Sequence, residues 1–133
     1  MNRSEILNSL NLSHFTAIDF ETTGLDPLFD RIIEIAAIRF EDGIITDRYI
    51  TLVNPENPIP AMITDITGIS NKMVRTKPTE ESVIDDFLDF LGDDPLVAHN
   101  IGFDEQFLTQ LCLRYGREKG NHRTYDTLQL GRS

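Results

Sequence analysis

Two carboxylates stand two residues apart, Asp19 and Glu21, at the end of the stretch Phe15-Thr-Ala-Ile-Asp-Phe-Glu21. Side chains two apart on a strand share a face, so a strand here carries both acids on one side and Phe20 on the other. Acids are disfavoured inside strands, and two close carboxylates repel each other and are costly to desolvate. A divalent cation removes both penalties, and an oxygen-only donor set suits Mg2+ or Mn2+. The plainer reading is a solvent-facing pair on an edge strand. A third acid, Asp104, closes Ala98-His-Asn-Ile-Gly-Phe-Asp104 and falls in the first turn of an expected helix. Alone, it reads as helix-terminal electrostatics worth roughly 0.3–1 kcal/mol. Together, three acids at element boundaries of one sheet can converge on one metal cluster.

The strands and helices that would carry these acids are readable from the residue pattern. Residues 1–13 form a short leader with Ile6, Leu7 and Leu10 on one side. Phe15–Phe20 is a strand, broken by the Gly and Pro of Thr22-Thr-Gly-Leu-Asp-Pro27. Ile32–Phe40 is apolar on both faces, as a central strand requires. Asp42-Gly43 signals a hairpin turn, and Ile44–Val53 is the return strand. Residues 58–77 are loop-rich, with one helical turn near Ala61–Thr64. Thr79 caps a helix whose first turn holds Glu80 and Glu81 and whose Val83, Ile84, Phe87, Leu88 and Leu91 recur at helical spacing. Leu96–Ala98 is a short buried strand. The helix carrying Asp104 buries Phe107, Leu108, Leu111, Cys112 and Tyr115 and stops at Gly116. Thr124-Tyr125 is a brief strand, and Asp126-Thr127 opens a last helix. Three strands with an antiparallel hairpin, followed by alternating helices and strands, predict an α/β fold: a mixed sheet with helices packed on it.

The 133 residues suit one domain, 1–133. No stretch approaches the roughly 20 apolar residues of a membrane span, no signal peptide opens the chain, and Cys112 stands alone. These features predict a cytoplasmic protein without an internal disulfide. The net charge of −10 argues against nucleic acid only superficially, because acids that hold divalent cations present a positive site once loaded. The acidic run Glu80, Glu81, Asp85, Asp86, Asp89, Asp93 and Asp94 reads as solvated surface. Arg114, Arg117, Lys119, His122 and Arg123 form a basic counterpart.

Asp-Phe-Glu-Thr-Thr-Gly-Leu at 19–25 and His-Asn-Ile-Gly-Phe-Asp at 99–104 closely resemble the first two motifs of the DEDDh 3′→5′ exonucleases. The nearest likeness is to the clade of the proofreading epsilon subunit of bacterial DNA polymerase III. Val53-Asn-Pro55, Pro58-Ile-Pro60, Ile66-Thr-Gly-Ile69 and Tyr125-Asp-Thr-Leu128 fit the same clade, so the resemblance runs from about residue 14 to the end. It implies a ribonuclease-H-like fold and a two-metal mechanism in which Asp19, Glu21 and Asp104 hold two Mg2+ or Mn2+ ions. By the same likeness Thr22, Thr23, Gly24 and Leu25 approach the terminal nucleotide. Leu25 and Phe103 press on its base or sugar, Asn100 supports the site, and Thr67 stands where many members have a histidine.

The family also needs a histidine base and a fourth aspartate, about a helical turn apart on a late helix. His122 and Asp126 are rejected for these roles, because four extended residues separate them by roughly 13 Å; Asp126 reads as a helix N-cap. His99 is expected to be structural or substrate-adjacent, and His14 to lie on the surface. The chain is therefore expected to be a C-terminally truncated domain, weak or inactive, whose uncovered apolar surface favours a homodimer. The expected partner is a single-stranded or frayed DNA 3′ end. A non-catalytic metal-dependent binding module of a larger polymerase or helicase protein is the second reading. The third is an RNA-directed exonuclease of the oligoribonuclease or RNase T type.

Overall fold

A computed structural model of the protein describes residues 13–127. The expected leader, apart from Ser13, and the body of the last expected helix lie outside the described residues. β1 (His14–Thr22), β2 (Ile32–Glu41) and β3 (Ile44–Leu52) come first. They are followed by α1 (Ala61–Thr67), α2 (Asn71–Val74), α3 (Glu80–Leu91), β4 (Leu96–Ala98), α4 (Ile101–Arg114) and β5 (Thr124–Asp126). The five strands form one sheet in the order β3-β2-β1-β4-β5. β1, β2 and β3 pair antiparallel, whereas β4 lies parallel to both β1 and β5. β1 is therefore central, and the edge-strand reading of the Asp19–Glu21 pair does not hold.

The β2–β3 turn forms where the sequence places it. Asp42 and Gly43 both have positive φ, 52° and 80°, the paired left-handed conformation that suits a two-residue hairpin. Ile18 and Phe20 of β1 pair across to Ala37 and Ile35 of β2, and all four are buried. They join Leu96 and Ala98 of β4 in the main core, against Val83, Ile84, Phe87 and Leu91 of α3 and Phe107, Leu108, Leu111 and Cys112 of α4. Each large side chain buried this way contributes about 1.5–3 kcal/mol. A smaller cluster sits elsewhere on the sheet, where Phe15 and Phe40 stack with ring centroids 5.0 Å apart beside Val97. Among the described residues, no helix is long and apolar enough to cross a membrane.

Three local expectations are corrected. The segment expected to hold one helical turn contains two short helices. α1 buries no residue and closes on a left-handed Gly68; α2 is capped by the Ser70 side chain, which accepts from the Met73 N–H. With no apolar stripe, α1 leaves no helical periodicity to detect. The acidic run, expected to be solvated, is exposed only in its interior. Its two ends turn inward: Glu80 is buried, and Asp94 accepts hydrogen bonds from Thr16 and Arg39 and pairs with His14. His14, expected on the surface, is half-buried against Asp94 and Glu41.

Candidate active site

β4 runs parallel to β1 but stops at Ala98 while β1 continues to Thr22, so the chain leaving β4 passes beside the last residues of β1. The turn there is a single left-handed residue, Asn100, at φ 64° and ψ 61°. Asparagine tolerates this conformation better than most residues. Its N–H donates to Asp126 Oδ1 at 3.0 Å, which ties the turn to the end of β5. α4 starts at the next residue, and its first turn brings Asp104 back to β1.

Asp104 is 2% exposed. Its Oδ1 accepts the N–H of Phe20 at 3.1 Å, the residue between Asp19 and Glu21. The helix acid thus docks on the backbone of the strand pair. Burial pushes the Asp104 pKa to about 7; the Phe20 N–H pulls it down, and the nearby Asp19 and Glu21 push it up. Glu21, half-buried, is raised by burial and then by Asp19 and Glu34; Glu34 is its cross-strand partner. Asp19 is open to solvent, and partial burial of its carboxyl raises it while His99 draws it down. All three carboxyls are therefore held above their ordinary range, by burial first, with nearby acids adding to it at Glu21 and Asp104. Their oxygen-only donor set and mutual repulsion fit a divalent cation. Among the described residues, no three His, Cys, Asp or Glu side chains are grouped closely enough to hold an ion as they stand.

The loop after β1 is built by hydrogen bonds. The Thr23 N–H donates to Arg31 O at 2.8 Å, and the Arg31 N–H returns a bond to Thr23 Oγ1 at 3.0 Å. Thr23 Oγ1 donates to Asp30 Oδ1 at 3.1 Å, and the Asp26 N–H donates to Asp30 Oδ2 at 2.9 Å. A Cβ at Gly24 would run into the Asp30 carboxyl, so this glycine makes room for its own loop. Thr22 is buried and donates to Gly24 O at 2.6 Å. The Thr22 and Thr23 side chains thus serve the loop, while Leu25 stands 85% exposed at its tip. The Phe103 ring lies tilted against Phe107 with centroids 4.8 Å apart and packs on the main core. Thr67 bonds within its own segment, donating to Ile63 O and accepting from Ile69 N. His99 is exposed, with Nδ1 3.5 Å from Thr127 Oγ1. His122 and Asp126 sit at opposite ends of β5, His122 against Asp94 O and Asp126 against Asn100 N. Asp30 and Glu34 were not singled out in the sequence. Only the Asp26-Pro27 turn signal hinted at Asp30, and Glu34 gains its role from strand register.

A mixed five-stranded sheet of this order, with acids at the end of its central strand and at the start of the helix after β4, has the ribonuclease-H-like architecture. The chain matches the exonuclease family RNase T over residues 16–133 and belongs to it. The PolC-type DNA polymerase III of Thermotoga maritima is 44% identical over 120 residues, covering 90% of this chain and 9% of that protein. That of Oceanobacillus iheyensis is 42% identical over 118 residues, covering 89% and 8%. The chain therefore spans less than a tenth of the length of these curated relatives. Among solved structures, a product-bound exonuclease I superposes with a TM-score of 0.80 at 21% identity, covering 90% of this chain and 31% of that one. Escherichia coli exonuclease I in complex with a dT13 oligonucleotide superposes equally well, also at 21% identity, covering 90% and 29%. The expected likeness to DNA polymerase III is thus met through PolC-type chains, not through the epsilon subunit in particular.

Proposed function

We propose that the chain is a 3′→5′ exonuclease domain that removes nucleotides from single-stranded or frayed DNA ends, as one module of a polymerase-type protein. The carrying observation is the docking of the buried Asp104 carboxyl on the Phe20 N–H, between Asp19 and Glu21. Family membership, the PolC-type relatives and the oligonucleotide-bound exonuclease I neighbour support the reading.

Asp19, Glu21 and Asp104 would hold two Mg2+ or Mn2+ ions. When bound, these supply Lewis-acid charge that promotes in-line attack by water and steadies the leaving 3′ oxygen. Asp104 gives up its proton to serve, which its pKa of about 7 permits near neutrality. The loop at 22–25 orients the terminal nucleotide through its backbone and Leu25, because its threonine side chains are committed inward. Leu25 offers apolar surface to an unpaired base or sugar.

A second reading is a module that binds metal and 3′ ends without cutting. The test is nucleotide release from 3′-labelled single-stranded DNA in Mn2+, with Asp19→Ala alongside. Release that falls roughly a hundredfold to a thousandfold in the variant, the scale for losing a preorganised charge-stabilising group, supports the exonuclease. Mn2+-dependent oligonucleotide binding without release supports the second reading. Binding and release that ignore both Mn2+ and the variant would sink both.

A further inference from the structure

Glu80 opens α3 beyond its Thr79 cap and is 3% exposed, yet it is a charged residue outside the carboxylate site. A carboxylate buried so deeply is tolerated only when paired and hydrogen-bonded. Its partners come from two distant parts of the chain. Oε2 accepts the N–H of Ile32 at 3.0 Å. Oε1 accepts from Arg114 Nη1 at 2.8 Å and from the Tyr115 hydroxyl at 3.1 Å, and Arg31 Nε lies 3.8 Å away.

Both arginines also hold the loop after β1. Arg114 Nη2 donates to Pro27 O at 3.4 Å. Arg31 Nη1 donates to Phe29 O at 2.8 Å, and the Arg31 backbone closes the loop against Thr23. Ile32 lies where the β1–β2 register shifts: Glu21 faces Glu34, but Thr22 faces Ile32. Such irregularities re-aim the side chains beside them. Here the Glu80 carboxylate takes up the Ile32 N–H at that point. The result is a loop that keeps Leu25, Leu28 and Phe29 exposed at 85%, 59% and 73% without leaving its backbone slack. Arg114 ends the helix that Asp104 begins, so one carboxylate links the loop to α4.

We propose that Glu80 is a positioning residue for the carboxylate site: through Arg31, Arg114 and Ile32 N–H it holds the Gly24–Arg31 loop, and with it Leu25, in register with Asp19 and Glu21. Its effect on substrate rests on the exonuclease reading above; its effect on the loop does not.

The test uses Glu80→Gln, which keeps the shape and an acceptor but removes the charge, and Glu80→Leu, which removes both. Amide hydrogen exchange at Thr23, Asp26, Asp30 and Arg31 is expected to quicken by tenfold or more in Glu80→Leu and by less in Glu80→Gln. Exchange in Phe107–Leu111 should stay unchanged. KM for single-stranded oligonucleotide should rise about tenfold in Glu80→Leu, with kcat within about twofold and Mn2+ affinity unaltered. If Glu80→Leu does not fold, Glu80→Gln alone decides, by faster exchange confined to the loop. Loop protection equal to wild type in either folded variant overturns the proposal, as does exchange that quickens evenly across the core. A wild-type chain that neither binds nor cuts DNA sinks the exonuclease reading, while the exchange measurement still decides Glu80.

Discussion

Asp94 and Asp104 flank the same three-residue strand, β4, and meet opposite fates. Asp94 precedes it at one end of the sheet. Burial raises its pKa, but hydrogen bonds from His14, Thr16 and Arg39 outweigh that and hold it below the usual carboxylate range. Asp104 follows β4 at the other end, more deeply buried, with backbone N–H bonds from Phe20 and from its own residue and two acids nearby, and rises to about 7. Glu80 is as buried as Asp104 but is met by Arg114, Tyr115 and Ile32 N–H. Burial therefore does not separate a structural acid from one proposed for the active site; the neighbours do. Asp94 and Glu80 are supplied with donors by the protein itself, whereas the Asp19–Glu21–Asp104 group is left with excess negative charge, the condition expected where a cation is to be recruited.

The sharpest way to break this contrast is Asp104→Asn. A pKa raised from 3.8 to about 7 makes ionised Asp104 a burden on the folded state. The stability present below about pH 4 is lost as pH rises toward 7, by about 4 kcal/mol at most if each pKa unit is worth about 1.36 kcal/mol. In chelator, Asp104→Asn should therefore match or exceed wild-type melting temperature at pH 8 and lose its advantage at pH 4. Thermal melts across that range measure it, and a variant less stable than wild type at pH 8 breaks the account.

Asp94→Asn should act with the opposite sign. A depressed pKa gives stability that is present above the unfolded value of about 3.8 and lost as pH falls through the lower folded pKa. The substitution should destabilise by about 2 kcal/mol at pH 7, the scale for hydrogen bonds to a charged group, and by less near pH 3. Denaturant unfolding at the two pH values checks this.

The smallest effect sharpens the picture within the Asp94 cluster. His14 contacts Asp94 at 2.7 Å but is 43% exposed, so His14→Ala should cost about 1 kcal/mol or less. If the pair is coupled, Asp94→Asn/His14→Ala should be less destabilised than the sum of the single changes. Additive losses would assign Asp94's stabilisation to Thr16 and Arg39 alone.

The basic stretch obeys the same logic as the acidic run. Arg117 forks onto Asp85 with Nε 2.7 Å from Oδ1, and Arg114 reaches Glu80. With Lys119 Nζ 3.7 Å from Glu105 Oε1, three of its cations are occupied by the chain's own acids, leaving a weaker basic face than the sequence pattern implies.

Much of the site was legible because it is written in local signals. Asp19-x-Glu21 announces one face of a strand by the period of two, Asp42-Gly43 names its turn, and His99-Asn-Ile-Gly-Phe-Asp104 marks a strand giving way to a helix. These depend on residues adjacent in the chain, so the sequence alone determined the strand, the turn, the helix and the acids they carry. Relations across long separations were settled only by the tertiary fold. Asp104 reaches the Phe20 amide 84 residues away, Asp94 reaches Thr16 across 78, and Glu80 reaches Ile32 across 48. A carboxylate looks the same in sequence whether water, an arginine or another carboxylate will face it. Its pKa and role are set by desolvation and by charges within a few ångströms, and those neighbours exist only once the sheet has brought distant segments together.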